Sequence, residues 1–216
     1  MSPWPRAESV SVAGETLTLL PQRAIYWARM KALLVADLHV GRAEALQLTG
    51  VAMPSEYGES ELQRLSETLE ACQAQALWVL GDLVHNADAL KTDSLSRLRA
   101  RHLDVAFHLV RGNHDRHVPT MPDAWGFEEW PEPTPLGPFI LRHHPEASEQ
   151  GYVLAGHEHP TVRVRAGGDC LILPCFHFGE ALGLLPAFTS FSSGIRKEPS
   201  QGATFVIADE EVVRLS

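Results

Sequence analysis

Cysteine, positive charge and long apolar runs are all scarce in this chain of 216 residues. Its three cysteines are too few and too scattered for a disulfide framework, and we expect them to be buried, inert thiols. The spacing of Cys170 and Cys175 resembles a soft-metal pair, but no second cysteine pair completes a zinc site. No apolar run approaches the roughly 20 residues needed to span a bilayer, so we expect no membrane contact.

Acidic residues outnumber basic ones, and the net charge is −9. Such a balance disfavours a large non-specific nucleic-acid surface, although bound divalent metal ions would reverse the charge locally. The first residues lack the basic and apolar regions of a signal peptide, so we expect a cytoplasmic protein. A chain of this length fits one domain, and we expect residues 1–216 to form it.

Strand and helix patterns alternate in the first half of the chain. Residues 8–20 alternate polar and apolar side chains, which predicts short strands. Continuous apolar runs then predict strands that are buried on both faces. These runs are 32–36, 76–80 and 105–110. Helical spacing predicts a helix from about 54 to 73, capped by Ser55, and another over 92–101. This order is typical of an α/β sheet whose chemistry lies at the carboxyl ends of its strands.

The helical patterns vanish after Phe127, and short strands are expected from there to the end. The expected strands are 138–143, 152–155, 161–164, 170–173, 204–208 and 212–215. The stretch 186–202 is rich in Ser, Pro and Gly and predicts a loop. No repeat or linker divides the chain, which again favours a single domain.

Polar residues are concentrated directly after five of the predicted strands. The five motifs are Asp37-Leu38-His39, Gly81-Asp82-Leu83-Val84-His85, Gly112-Asn113-His114-Asp115, His143-His144 and Gly156-His157-Glu158-His159. One such motif could be accidental surface polarity. Because all five follow hydrophobic strands, we expect them to meet at one edge of a sheet, where they include seven of the eleven histidines.

The side chains in these motifs suit a site for two metal ions. A carboxylate such as Asp82 can bridge two ions about 3.5 to 4 Å apart. Imidazole and oxygen donors without a thiolate favour Mn, Fe or Zn over copper or a structural zinc site. The glycines before Asp82, Asn113 and His157 fit tight turns or close backbone approach.

In their order along the chain, the five motifs resemble the calcineurin-like metallophosphoesterase superfamily, whose pattern is D-x-H, G-D, G-N-H-D/E, H and G-H-x-H. The resemblance implies an α/β fold, a four-layer α-β-β-α sandwich with two mixed sheets flanked by helices. It places one metal on Asp37, His39 and His159, the other on Asn113, His143 and His157, and Asp82 between them. The family's H-H-P form implies that His143 rather than His144 is the ligand.

The resemblance also implies a mechanism, in which a water activated by both metals attacks phosphorus in line. His114 would assist the leaving oxygen, with Asp115 orienting its ring; the alternative is that His114 only braces the site. His85 either contacts the phosphate or leaving group, or packs near the bridging residue. Arg42 and Arg116 are candidate phosphate clamps, or else solvated surface arginines.

A narrower resemblance covers nearly the whole chain. The segments 36–42, 173–176 and 185–188 are similar to the bacterial metallophosphoesterases encoded beside an ATP-dependent DNA ligase, the PdeM family. This implies a Mn-dependent DNA endonuclease and phosphodiesterase in DNA repair, with ligase-associated repair proteins as partners. Single-stranded or flapped DNA is the expected form of the substrate, because it would reach a shallow metal site more readily than duplex DNA. The basic runs 97–102 and 196–197 add little, since such runs are usually solvated faces.

Two other functions stay open at this point. A small phosphodiester or pyrophosphate, such as a cyclic nucleotide or a nucleotide-linked lipid, would suit the same metal motifs. A protein-binding scaffold without catalysis is the other alternative, but it is disfavoured because this chain keeps every expected ligand and His114.

Overall fold

A computed structural model describes residues 6–48, 50, 57–166, 169–190 and 192–216. Its first sheet contains seven strands in chain order. They are β1 (Glu8–Val12), β2 (Glu15–Leu20), β3 (Ala24–Trp27), β4 (Ala32–Val35), β5 (Ala76–Leu80), β6 (Ala106–Val110) and β7 (Phe127–Trp130). Strands β1 to β4 pair antiparallel, whereas β4 to β7 pair parallel. The carboxyl ends of β4, β5 and β6 therefore lie side by side.

Within the described residues, three α-helices accompany this sheet: α1 (Arg42–Leu48), α2 (Tyr57–Cys72) and α3 (Ser94–Arg101). Helix α2 connects β4 to β5, and α3 connects β5 to β6, as parallel strand pairs require. Their apolar side chains enter a buried cluster with the sheet, to which Leu65 and Leu98 belong. The predicted helix start at 54 and its cap at Ser55 lie outside the described residues.

The second sheet is built by the rest of the chain. Its strands are β8 (Thr134–Leu136), β9 (Phe139–Arg142), β10 (Tyr152–Ala155), β11 (Thr161–Ala166), β12 (Asp169–Phe178), β13 (Leu182–Leu184), β14 (Ala203–Ala208) and β15 (Glu211–Arg214). The order is β15-β14-β12-β13-β10-β9-β8, and β11 pairs with β12 beside this path. Strands β9, β10 and β13 are parallel, and the other pairs are antiparallel.

The two sheets pack face to face through a core of large apolar side chains. Trp27 and Leu34 of the first sheet are fully buried against Phe139, Phe176 and Phe205 of the second. The two mixed sheets confirm the predicted sandwich. Helices are few: beyond α3 the described residues form strands, short 3-10 turns and loops.

Some local predictions differ from the structure. Helix α1 and the short strands β7, β8 and β13 were not predicted. Cys72 and Cys175 are buried as expected, but the prediction is wrong for Cys170, which is exposed on β12. None of the helices in the described ranges is long and apolar enough to cross a membrane.

Candidate metal centre

Backbone hydrogen bonds join the loops that follow β4 and β5. The amide of Asp37 donates to the carbonyl of Gly81 at 3.1 Å, and the amide of His39 donates to that of Asp82 at 2.9 Å. The segment near Thr189 closes the other side, since its amide donates to the carbonyl of Asp37 at 3.2 Å. The first two motifs are thus held at one edge before any metal contributes.

The backbone of the motifs is in an unusual conformation. Five of the predicted ligands have φ between 46° and 68°, in the left-handed region that residues with a side chain seldom adopt. They are Asp37, His39, Asp82, His157 and His159. Asp and His tolerate this region better than most residues, yet each instance still stores strain. Such outliers cluster at functional sites, where the local geometry takes precedence over backbone preference.

Two glycines of the motifs permit close packing. A Cβ at Gly112 would lie 2.2 Å from Oδ1 of Asp82, and a Cβ at Gly156 would lie 2.7 Å from Oδ2 of Asp37. Neither glycine is required by a positive φ. Each is required because the backbone passes directly against a carboxylate, as the sequence interpretation anticipated.

The first group of donor atoms is formed by Asp37, His39 and His159. Nε2 of His159 lies 3.4 Å from both Nε2 of His39 and Oδ1 of Asp37. Oδ2 of Asp82 is 3.8 Å from Nε2 of His39, on the side facing the second group. Nδ1 of His159 lies 3.0 Å from the carbonyl oxygen of Ser193, which can only accept, so Nε2 carries the free lone pair.

The second group is formed by Asn113, His143 and His157. Nδ1 of His143 donates its proton to the carbonyl of Leu80 at 3.1 Å, which leaves a lone pair on Nε2. That nitrogen lies 2.9 Å from Oδ1 of Asn113, 3.0 Å from Nδ1 of His157 and 3.5 Å from Oδ1 of Asp82. A lone pair that faces two acceptor oxygens is repelled by them unless a cation lies between.

These separations fit metal coordination. Donor atoms that each lie about 2.1 Å from a shared ion are about 3.0 to 3.5 Å apart at octahedral or tetrahedral angles. Two groups of three therefore match two ions, and Asp82 has one carboxylate oxygen toward each group. The side chains of Asp37 and His143 are fully buried, which fixes the floor of the site.

Burial favours the neutral ring in three of the four imidazole ligands. It lowers the pKa of His39 to about 2, helped by the neighbouring charges of His159, His114 and Arg42. Burial likewise lowers the pKa of His143 and His157. For His159 the effect of burial is outweighed by the hydrogen bond and charge of Asp37, which raise its pKa. Neutral imidazoles present the lone pairs that metal ligation requires.

Asp82 is nearly completely buried. Burial raises the pKa of its carboxyl group above the usual value, and the nearby Asp37 adds to that effect, although the amide of His114 donates to Oδ1 at 2.8 Å. Two adjacent buried carboxylates are costly without a counter-ion. A divalent cation removes that cost, so the donor chemistry of this edge fits metal ions.

His114 lies at the rim of the site, with its side chain about one-third exposed. Its Nδ1 lies 2.9 Å from the carbonyl oxygen of His85, so that nitrogen donates and Nε2 faces the metal groups. The ring of His85 stacks on that of His114 with centroids 5.0 Å apart. The backbone carbonyl and the ring of His85 therefore both contact His114, and a role of His85 in contacting the phosphate stays a prediction.

The predicted role of Asp115 as the residue that orients His114 is wrong. Its two carboxylate oxygens accept from the amides of Val84, at 3.1 Å, and Gly112, at 2.7 Å. Burial raises its pKa to about 6. Asp115 therefore braces the loops after β5 and β6, while the carbonyl of His85 orients the His114 ring.

The two candidate phosphate clamps differ in position. Arg42 is half-buried beside His39 and His85, close enough for its charge to lower the pKa of both rings. Arg116 is exposed, in the 3-10 turn His114–His117. Neither side chain has a hydrogen bond or ion pair with another residue in the described ranges. Both guanidinium groups are therefore uncommitted within the part of the chain that the structure describes.

The basic run on α3 is engaged elsewhere. Arg97 pairs with Glu59, and Arg101 donates to the side chain of Gln63 on α2. Arg99 donates to the carbonyls of His102 and Val105. This run holds α3 against its surroundings and gives no free basic surface.

Sequence interpretation missed Glu132, which holds the fourth motif in place. One of its oxygens accepts from the amides of His143, at 2.9 Å, and His144, at 2.6 Å, while the other lies 3.0 Å from Nδ1 of His144. His144 is thereby engaged, and His143 points to Asn113. No motif marks Glu132, because the contact joins residues from separate segments.

Replacing Glu132 by Gln is expected to weaken metal binding by about 10- to 100-fold, because residues that support ligands typically contribute that much. The amide cannot accept as strongly from the two backbone amides, so His143 will lose its fixed position. Calorimetric titration with Mn²⁺ measures the effect. Glu146, exposed and paired with Arg142 at 2.6 Å, gives the matched control E146Q, and equal affinities in both variants would contradict this role.

Comparison with known proteins gives a match to one family and to a set of solved structures, two of which are described here. The model of the calcineurin-like phosphoesterase family matches residues 30–162. A nuclease MPE from Pseudomonas putida is 33% identical with a TM-score of 0.83, over 97% of this chain and 100% of that chain. A protein of unknown function from Aquifex aeolicus is 20% identical with a TM-score of 0.42, over 59% of this chain and 78% of that chain. Among curated proteins, none matches by sequence.

Proposed function

The chain belongs to the calcineurin-like phosphoesterase family and is a metal-dependent phosphoesterase, and from this premise we propose that it is a DNA endonuclease and phosphodiesterase that acts in DNA repair. The observation that carries the proposal is the match to the Pseudomonas putida nuclease, which extends over essentially both chains. The match leaves no part of that nuclease chain without a counterpart in this chain. The substrate class proposed here is therefore a nucleic acid.

The openness of the site supports a polymeric substrate. Ligands Asp37 and His143 are buried at its floor, whereas His157 is exposed and His114 is partly exposed at its rim. A phosphodiester within a long chain can reach a rim of this kind without threading through a closed pocket. Single-stranded or flapped DNA bends more readily toward such an edge than a duplex, and we propose it as the preferred substrate.

Seven residues are proposed to hold two divalent ions, and Mn²⁺ suits their mixed oxygen and nitrogen donors, as do Fe and Zn. They are Asp37, His39, Asp82, Asn113, His143, His157 and His159. When bound, the two ions supply an activated water for in-line attack and neutralise charge on the phosphoryl oxygens.

The residues of this chain contribute positioning and a proton. Asp82 keeps the two donor groups at a fixed distance through its two oxygens. The ring of His114 is fixed by the carbonyl of His85, which accepts from Nδ1–H, so its imidazolium form directs Nε2–H at the rim. A leaving oxygen that emerges there would take the Nε2 proton and leave the neutral ring. Arg42 and Arg116 are proposed to hold the non-bridging phosphate oxygens, because guanidinium binds phosphate in a bidentate manner.

The experiment uses the purified protein with Mn²⁺ on two substrates, circular single-stranded DNA and a small aryl phosphodiester. We expect nicking of the circle and hydrolysis of the ester, both abolished by EDTA. Hydrolysis of the ester without any nicking would refute the endonuclease and favour the alternative, a small phosphodiester or pyrophosphate. If both activities persisted in EDTA, metal dependence would be refuted.

We also propose that the protein is cytoplasmic and associates with an ATP-dependent DNA ligase, because its segments 36–42, 173–176 and 185–188 resemble the ligase-associated family. Co-purification with an ATP-dependent DNA ligase or its associated helicase from the native cell tests it. The alternative of a scaffold without catalysis is not favoured, because the donor atoms of all seven residues converge.

A further inference from the structure

Five of the fifteen arginines have no side-chain hydrogen bond or ion pair within the part of the chain that the structure describes. They are Arg42, Arg116, Arg163, Arg165 and Arg196. The other ten bind carboxylates, carbonyls or amide oxygens, as Arg111 does with Glu129 at 2.5 Å. Two of the unpaired arginines are the candidate clamps of the metal edge. The remaining three belong to one surface that the mechanism does not use.

Strand β11 places Arg163 and Arg165 on a solvent-facing surface. Its alternate residues Val162 and Val164 pack inward on a buried cluster that includes Val206. Arg163 lies opposite Ile172 of β12, which is 56% exposed. Cross-strand partners share a face of the sheet, so these arginines and Ile172 form one exposed face.

Arg196 joins the same face from the other edge of β11. The segment around Arg196 pairs with the start of that strand through two backbone hydrogen bonds. The backbone amide of Thr161 donates to the carbonyl of Ile195 at 2.9 Å, and the backbone amide of Lys197 donates to the carbonyl of Thr161 at 2.8 Å. Arg196 is the parallel bridge partner of Thr161, which sets both side chains on one side. We call Arg163, Arg165, Arg196 and Ile172 together the arginine face.

The arginine face is continuous with the metal edge. Strand β11 begins two residues after His159. The adjoining segment also holds the metal motif, since the carbonyl of Ser193 accepts from Nδ1 of His159 at 3.0 Å and the amide of Ile195 donates to Glu158 at 2.9 Å. The strand and the segment that carry the arginine face therefore both start at the metal edge.

From this geometry we propose that the arginine face binds the phosphodiester backbone of the DNA strand as it leaves the metal centre. The inference rests on the proposed endonuclease function. Alternate strand positions are about 7 Å apart, so Arg163 and Arg165 can meet separate phosphates of one strand. In a chain of net charge −9, three unpaired guanidinium groups on one face are complementary to a polyanion.

The chemistry of the face sets the kind of binding. Guanidinium binds phosphate oxygens, and the exposed Ile172 can lie against the sugars between them. The face includes no aromatic ring for base stacking, so the contacts carry no sequence information. We expect a sequence-tolerant, salt-dependent contribution to DNA binding.

The test is the triple variant R163Q/R165Q/R196Q, compared with the wild type on a long single strand and on a small aryl phosphodiester. Each single-strand phosphate contributes about 0.7 to the slope of log affinity against log salt, so the variant should lose about 2 from that slope. At low salt we expect kcat/KM for the long strand to fall about tenfold or more, mainly through KM. Hydrolysis of the small ester should persist, because the ester does not extend beyond the metals.

The matched control is R97Q/R101Q on α3, whose arginines are also exposed but paired with α2. It should leave both substrates and the salt slope unchanged. A triple variant that cleaves long DNA with an unchanged KM and salt slope overturns the arginine face while the endonuclease function stands. Equal loss on both substrates overturns it as well, since that indicates a disturbed metal site. A wild type that cleaves the ester but no DNA refutes the proposed function itself.

Discussion

Replacement of Asp82 by Asn is expected to lower phosphodiester hydrolysis by about 10³-fold or more, because two bound ions contribute several kcal/mol and each 1.4 kcal/mol is about a factor of ten. The amide keeps the size of the side chain and can still accept from the amide of His114, which donates at 2.8 Å. It loses the negative charge that faces both donor groups. Initial rates at saturating Mn²⁺ measure the effect.

The same variant separates a metal role from a role in folding. Because burial raises the pKa of Asp82, its carboxylate destabilises the metal-free chain, and D82N should melt no lower than the wild type when both are stripped of metal. The rise in melting temperature on adding Mn²⁺ should shrink. The variant D88N, at a partly buried carboxylate that is paired with Lys91, is the matched control. A fully active D82N would overturn the bridging role.

Replacement of His114 by Ala is expected to slow DNA cleavage by about 10²- to 10⁴-fold, the usual contribution of a general acid. An aryl phosphodiester should lose much less, because an aryloxide leaves without taking a proton. The ratio of the two losses, measured as kcat on both substrates, is therefore the informative quantity. It distinguishes proton donation from a role in bracing the metals.

The matched control for that experiment is His117→Ala. His117 is exposed in the same 3-10 turn, and its ring centroid is 6.2 Å from that of His114. Its removal should change neither rate by more than about twofold, as for ordinary surface substitutions. Equal losses on DNA and the aryl ester in H114A would show that His114 braces the site and donates no proton.

The metal edge could be predicted because its signals are local. Each motif directly follows an apolar strand, and parallel strands bring their carboxyl ends to one edge, so Asp37, Asp82 and Asn113 had to be neighbours. The two sheets could be predicted for the same reason, since runs of apolar and alternating residues differ in period. What these signals specify is the position of backbone segments.

Side-chain partners were less predictable, because they depend on contacts between segments. Asp115 was expected to orient the adjacent His114, but neighbours in a tight turn point in different directions, and its carboxylate binds Val84 and Gly112. Glu132 supports His143 from a separate segment, and no local pattern indicates it. The basic run of α3 was paired by residues of α2, which sequence proximity does not show.

The left-handed backbone at five of the proposed ligands has a consequence for laboratory evolution. Each such residue stores strain that a glycine would relieve, so His157→Gly should make the metal-free chain easier to fold while destroying the site. A selection for soluble expression alone would then favour inactive variants, starting at these positions. Libraries of this enzyme should be screened for catalysis in every round. Selection for yield favours glycine at these positions, whereas selection for turnover favours the ligand side chains.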